Sequence, residues 1–220
     1  MLTGFLISSP AQADPTGAEH PVKPNILLIL ADDLGYNDLG FQGSKEIKSP
    51  HLDAIAASGV RFTNAYVSAS VCSPSRAGLM TGRYQQQFGH EPNSPPSPFG
   101  MNLNEKTMAD LLKAQGYRTG AIGKWHLGDS DPFYPTNRGF DYFCGLRAGS
   151  RSYFHHEKDD KEGSFKAIEL NGAYLGFEGY ITDFFSGKAV EFIEAQSEQA
   201  PFFLYLSYTA PHGPMHATEA

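Results

Sequence analysis

The chain has 220 residues and a net charge of −7, from 17 Lys and Arg against 24 Asp and Glu, with 40% hydrophobic and 13% aromatic residues. That apolar content supports a buried core and excludes a disordered polymer, and the length fits one α/β domain with room for a subdomain. The acidic balance excludes a general nucleic-acid-binding surface, so an anionic ligand needs positive charge gathered locally, and no apolar run reaches the roughly 20 residues of a membrane span.

Residues 1–13 (MLTGFLISSPAQA) place an apolar run, Leu2 to Ile7, ahead of Ala11-Gln12-Ala13, an A-x-A cleavage pattern. This predicts the tail of a secretory signal, with an ordinary N-terminal tail as the alternative. Residues 1–22 are therefore read as partial signal and linker, and residues 23–220 as the folded domain. Export would make the protein periplasmic or secreted, where the two cysteines, Cys72 and Cys144, could pair.

Residues 25–31 (NILLILA) form a continuous apolar run, predicting a central strand of a parallel sheet covered on both faces. It ends in Asp32-Asp33, and ligands of open α/β sheets gather at the carboxyl ends of strands. Adjacent carboxylates repel unless a cation intervenes, and oxygen donors suit Ca²⁺; turn or capping aspartates are the alternative. Residues 49–58 predict a short helix with Ser49 as cap, Pro50 first and Gly59 as the stop. His51 belongs on its surface. Residues 60–67 predict a strand leading toward Cys72.

From Val71 to Gly82 the sequence predicts a loop feeding a helix. Ser73 is placed at the N-cap and Pro74 at the first helical position, with residues 75–83 continuing. Cys72 then precedes the cap, where free N–H groups and the helix dipole favour an anion, and Arg76 offers a planar fork of donors. A small buried cysteine is the alternative. His90, before the proline-rich surface loop of residues 91–100, is either a loop histidine or a pocket wall.

Residues 107–115 predict a helix with a Thr107/Asp110 capping box, stopped by Gly116. The strand of residues 117–123 runs into Lys124-Trp125-His126-Leu127-Gly128. In extended backbone Lys124 and His126 share a side and offer two cationic donors to one anion, while Trp125 suits packing. Asn171-Gly172 predicts a hairpin turn between residues 165–170 and 173–177, read as a lip over the site. Arg151, His155 and His156 precede it as sugar contacts or as a solvated loop. A helix over residues 180–196 and a buried strand over residues 201–208 follow, and the strand opens into Thr209-Ala210-Pro211-His212-Gly213-Pro214. Strand ends thus deliver Asp32 and Asp33, Lys124 and His126, and His212.

Cys72, Pro74 and Arg76 form C-x-P-x-R, and with Gly78-Leu79-Met80-Thr81-Gly82 the stretch resembles the sulfatase signature. Gly116-Tyr117-Arg118-Thr119 through Gly123-Lys124-Trp125-His126-Leu127-Gly128 resembles the second sulfatase signature. Gly139-Phe140-Asp141-Tyr142-Phe143 and Pro211-His212-Gly213-Pro214 continue the resemblance in family order. The family implies an alkaline phosphatase-like α/β fold, a mostly parallel central sheet flanked by helices. It implies oxidation of Cys72 to formylglycine by a formylglycine-generating or anaerobic sulfatase-maturating enzyme. One hydroxyl of the aldehyde hydrate then attacks the sulfate sulfur in line, and the second eliminates sulfate. Asp32, Asp33 and residue 72 would hold Ca²⁺; Arg76, Lys124 and His126 would stabilise the developing charge; His212 would protonate the leaving group. Cys144 would then lack an intramolecular partner and be buried structure.

Gln87-Phe88-Gly89-His90-Glu91 and Gly149-Ser150-Arg151-Ser152-Tyr153-Phe154 are similar to stretches of bacterial polysaccharide sulfatases, which points from an aryl toward a carbohydrate sulfate substrate. The family's later metal-binding motif is not found before Ala220, so the expectation is an N-terminal portion of a sulfatase: a fragment, a truncated gene or half of a split protein. The rival readings are a phosphonate or phosphate diester hydrolase with the same nucleophile, and a catalytically silent remnant that binds a partner through an exposed sheet edge.

Overall fold

In the computed structural model the described residues are 6–7, 23–93, 99–197 and 199–219. The cleavage pattern at Ala11 to Ala13, the linker and the prolines at 95, 96 and 98 lie outside them. The elements in chain order are β1 (Leu6–Ile7), β2 (Ile26–Asp32), α1 (Pro50–Ser58), α2 (Cys72–Thr81), α3 (Met108–Ala114), β3 (Arg118–Lys124), β4 (Tyr142–Leu146), β5 (Glu169–Leu170), β6 (Ala173–Tyr174), α4 (Ile181–Glu194) and β7 (Phe202–Pro211), with short 3-10 turns between them.

One seven-stranded sheet runs β1-β2-β7-β3-β4-β5-β6. Its four central strands are parallel, and the short outer strands pair antiparallel. The alternation of β7 shows why the sheet is covered twice. Phe203 and Tyr205 enter a core with Ala77 and Met80 of α2 and Ala109 of α3. Phe202, Leu204 and Leu206 enter a second core with Ile181, Phe185 and Ala189 of α4. Side chains alternate across a strand, so a continuous apolar run serves both faces, each fully buried Leu or Phe contributing roughly 1.5–3 kcal/mol. Trp125 packs edge-on against Phe140 and donates its indole N–H to the Phe133 carbonyl at 2.8 Å.

Four expectations change. The helix α2 starts at Cys72 with Val71 in the cap position, so Ser73 is not the cap. Residues 60–67 form no strand among the described residues, and Val60, Phe62 and Tyr66 are 72–74% exposed. Their alternation needs a neighbouring strand to supply hydrogen-bond partners, and among the described residues no strand of the sheet pairs with them. The Asn171-Gly172 turn forms with φ of 49° and 90°, but its strands have two residues each and extend the sheet edge, β5 pairing with β4 and β6 with β5. Cys72 and Cys144 are both free, because Cys144 lies in the α4-side core while α2 covers the other face of the sheet. No helix among the described residues is long and apolar enough to cross a membrane.

Candidate active site

The parallel strands end on one rim, and α2 begins beside it. Asp32, the last residue of β2, is buried and accepts from Arg76 Nη2 at 3.1 Å through Oδ1 and from Lys124 Nζ at 2.6 Å through Oδ2. Arg76 is 1% exposed, and its Nη1 donates to the Lys124 carbonyl and the Tyr205 hydroxyl, both at 3.1 Å, and to Ser207 Oγ. One guanidinium therefore fastens α2 to the ends of β2, β3 and β7. Burial would raise the Asp32 carboxyl, but the Arg76 and Lys124 charges overcome it and hold the group below the usual carboxylate range. Burial, with the Arg76 charge added, pushes the Lys124 ammonium down despite Asp32.

The two adjacent aspartates differ in exposure. Asp33 has a left-handed φ of 64°, its side chain is 62% exposed, and Oδ2 lies 3.7 Å from His212 Nε2. The His212 Nδ1 faces the Gly213 carbonyl at 2.6 Å. Its loop is braced by the buried Tyr153 hydroxyl, whose one hydrogen lies between the carbonyls of Thr209 and His212, at 3.0 and 2.8 Å. Asp32, Asp33, Ser70, Cys72, Ser75 and Arg76 line a cleft between the end of β2 and the start of α2.

Lys124 and His126 meet here by a different route from the one expected. The strand stops at Lys124, and His126 turns to a left-handed φ of 58°. Its N–H donates to the Arg147 carbonyl at 3.1 Å, and its carbonyl accepts from Ser73 Oγ at 2.7 Å. Burial first, then the Lys124 and Arg76 charges, push the imidazole down to about 3. His126 is thus a neutral ring near two cations, not a second cation, and its buried Nδ1 has no protein partner.

Ligand atoms of Asp32, Asp33 and Cys72 lie within 4.8 Å of one another. Two carboxylates suit a hard cation such as Ca²⁺; a thiol suits a softer one, and an oxygen in place of the sulfur would make the set uniform. Three groups make part of the about six to eight oxygens that Ca²⁺ takes.

Sequence reasoning missed Tyr205, Ser207, Ser73 and Tyr153. A signal existed for the first two: on the face of β7 that begins with Phe203, the polar atoms fall at the strand's carboxyl end. The Arg151 reading as a sugar contact is corrected: Arg151 is 2% exposed and pairs with Asp160 at 2.6 Å. His90 does not line the cleft; it is buried against Ser73.

The chain is 38% identical to mouse (Mus musculus) arylsulfatase J, over 97% of this chain and 37% of that protein. It is 34% identical to human (Homo sapiens) N-acetylgalactosamine-6-sulfatase, over 90% of this chain and 41% of that one. The crystal structure of Ps i-CgsB in complex with k-i-k-neocarrahexaose superposes with a TM-score of 0.84 at 43% identity, covering 89% of this chain and 47% of that one. A structure of BT4656 in complex with its substrate D-glucosamine-2-N,6-O-disulfate gives 0.72 at 30% identity, covering 86% and 35%. The chain therefore spans half or less of the length of these relatives, and its sheet and helices are those of the alkaline phosphatase-like sulfatases. The sulfatase family model matches residues 24–220, which takes in the whole strand rim and the start of α2, and the chain belongs to the sulfatase family.

Proposed function

We propose that this chain is the nucleophile-bearing N-terminal portion of an exported hydrolase that cleaves sulfate esters of a carbohydrate. The carrying observation is the convergence of Arg76, Lys124 and His126 with Asp32 and Asp33 beside residue 72, at strand ends that the chain's own packing fixes. The carbohydrate reading is supported by the neighbours solved with a neocarrahexaose and with a disulfated glucosamine. Export to the periplasm or outside the cell rests on the Ala11-Gln12-Ala13 pattern.

Arg76 and Lys124 place two buried cationic groups against the single buried carboxylate of Asp32, and these are the groups that would meet a sulfate group. Buried, pre-oriented donors of this kind stabilise charge with little reorganisation. His126, uncharged at neutral pH, contributes a neutral imidazole to the same anion. The His212 ring, its Nδ1 at the Gly213 carbonyl and its Nε2 3.7 Å from Asp33 Oδ2, is the group to protonate a leaving oxygen. Asp32, Asp33 and residue 72 would hold Ca²⁺, which supplies Lewis-acid polarisation of sulfate oxygens. Formylglycine at position 72, made by a maturating enzyme, supplies a hydrated aldehyde as the oxygen nucleophile. A thiol cannot replace it in turnover, because a thiosulfate adduct has no second hydroxyl with which to expel sulfate.

The test is mass spectrometry of the peptide spanning residues 62–76 from the natural gene product, together with turnover of nitrophenyl sulfate, a sulfated oligosaccharide and the matching phosphate esters. Conversion of CH₂SH to CHO with preferred sulfate ester turnover is expected. An intact Cys72 thiol in a protein that hydrolyses no sulfate ester would overturn the reading, and preferred phosphate ester turnover would replace it.

A further inference from the structure

We propose that His90 is a positioning residue: acting through Ser73, it holds the His126 backbone in the turned conformation that sets its imidazole among Lys124, Arg76 and Asp32. The geometry stands on its own, and the kinetic consequence rests on the sulfatase reading above. His90 is 3% exposed and Ser73 is fully buried. The His90 Nε2 lies 2.8 Å from Ser73 Oγ, and Ser73 Oγ lies 2.7 Å from the His126 carbonyl. A carbonyl can only accept, so the serine hydrogen that serves His126 leaves Ser73 Oγ as an acceptor, a role that a proton on His90 Nε2 fills. In the relay proposed, His90 donates to Ser73, and Ser73 donates to His126.

The same turn grips the helix start twice. After α2 the chain passes through a 3-10 turn, Gln85–Phe88, and Gly89 at a left-handed φ of 74°, and comes back under the first turn of α2. There Asn93 Oδ1 accepts from the Ser73 N–H at 3.1 Å, while His90 takes the side chain. The other end of the relay is a non-glycine residue at φ 58°, a conformation that persists only where its surroundings over-determine it. Three contacts do so at His126: the Arg147 carbonyl on its N–H, Ser73 on its carbonyl, and Gly149 against its ring, where any Cβ would overlap the imidazole. Ser73 also directly follows residue 72. A slip of its hydroxyl therefore shifts the two sides of the cleft relative to each other, while the cores beneath stay packed.

The test compares His90→Gln, whose amide N–H reaches the place of Nε2, with His90→Phe, which keeps a ring of similar size but offers no donor. Ser73→Ala cuts the relay at its other member, should the phenylalanine variant fail to fold. In the natural gene product His90→Phe and Ser73→Ala are expected to lower kcat for nitrophenyl sulfate on the order of 10²-fold with KM little changed, as for a small misplacement of reacting groups. Both should move the amide resonances of residues 72 and 126, and His90→Gln should recover most of the kcat and the resonance positions. Equal damage from glutamine and phenylalanine, or wild-type kcat in Ser73→Ala, would overturn the proposal. Should the unaltered protein turn over no sulfate ester, the reaction reading fails alone. The resonances then decide the relay, and an unmoved His126 amide in His90→Phe and Ser73→Ala overturns it.

Discussion

Replacing Arg76 by lysine keeps a positive charge at the site but removes the fork that spans three strand ends. The native guanidinium reaches Asp32 through Nη2 and the Lys124 carbonyl, Tyr205 and Ser207 through Nη1, all buried. A lysine Nζ presents its donors from one point, so it can serve the carboxylate or the rim of β3 and β7 but not both. Hydrogen bonds from a charged donor are worth about 1.5–3 kcal/mol each, and those sharing one side chain do not add. With Asp32 still paired to Lys124, the expected loss is therefore about 2–4 kcal/mol, a large part of a typical stability of about 5–15 kcal/mol. Urea denaturation of the wild-type and Arg76→Lys chains measures it. At an m-value of about 2 kcal/mol/M the midpoint should fall by about 1–2 M without a change in slope. A midpoint within about 0.3 M of wild type at equal slope would refute the claim that Arg76 fastens the rim.

Cys72→Ala and Cys72→Ser should both abolish sulfate ester turnover, since neither supplies the aldehyde, and a fully active alanine variant would sink the nucleophile assignment. The His126 ring should show no titration between pH 5 and 8 by NMR, with its midpoint near about 3. A folded value below the unfolded one means the unfolded chain binds the extra proton first, so this group costs stability as pH falls from about 6.5 toward 3. A ring midpoint close to 6.5 would show that the site is not desolvated as described. Asp32, depressed below its unfolded 3.8, works on the acid side: its contribution is present above 3.8 and lost as pH falls through the lower folded value. Asp32→Asn should flatten that limb, and an acid limb identical to wild type would count against the buried pairs. Gly149→Ala should shift the His126 ring resonances and lower sulfate ester turnover while the urea midpoint holds, because the added Cβ meets the ring rather than the core. Unchanged resonances would show that the ring is not held there.

The parts of the fold that were legible are those written in local chemistry. The Thr107/Asp110 capping box forms as read, with Asp110 N–H donating to Thr107 Oγ1 at 3.1 Å and Thr107 N–H to Asp110 Oδ2 at 2.8 Å. The buried strands β2 and β7 follow from apolar runs too short for helices and too continuous for a half-exposed sheet. Ser73 is a good cap residue by type, yet the helix begins two residues earlier than that cap implies and frees the serine for His126. His90 and Arg151 resembled loop residues because the partners that bury them, Ser73 and Asp160, are distant in sequence or lie in a charged stretch that passes for solvated. The residues 60–67 segment has the right alternation and lacks a ladder, and a ladder is never local information. Lys124 and His126 were rightly placed together for the wrong geometric reason: extended alternation was assumed, and a left-handed turn does the work.

Composition posed a specific problem, an acidic chain that must collect positive charge to meet an anion, and the strand rim answers it by burial. Among the described residues around Asp32, two cations converge on one carboxylate while the second carboxylate, Asp33, turns outward to solvent and His212. At Asp33 a left-handed φ accompanies an exposed carboxylate, while its oxygens stay within 4.8 Å of ligand atoms of Asp32 and Cys72. Neutral His126 fits the same balance: burial first, and then the Lys124 and Arg76 charges that an incoming anion would meet, depress its proton affinity.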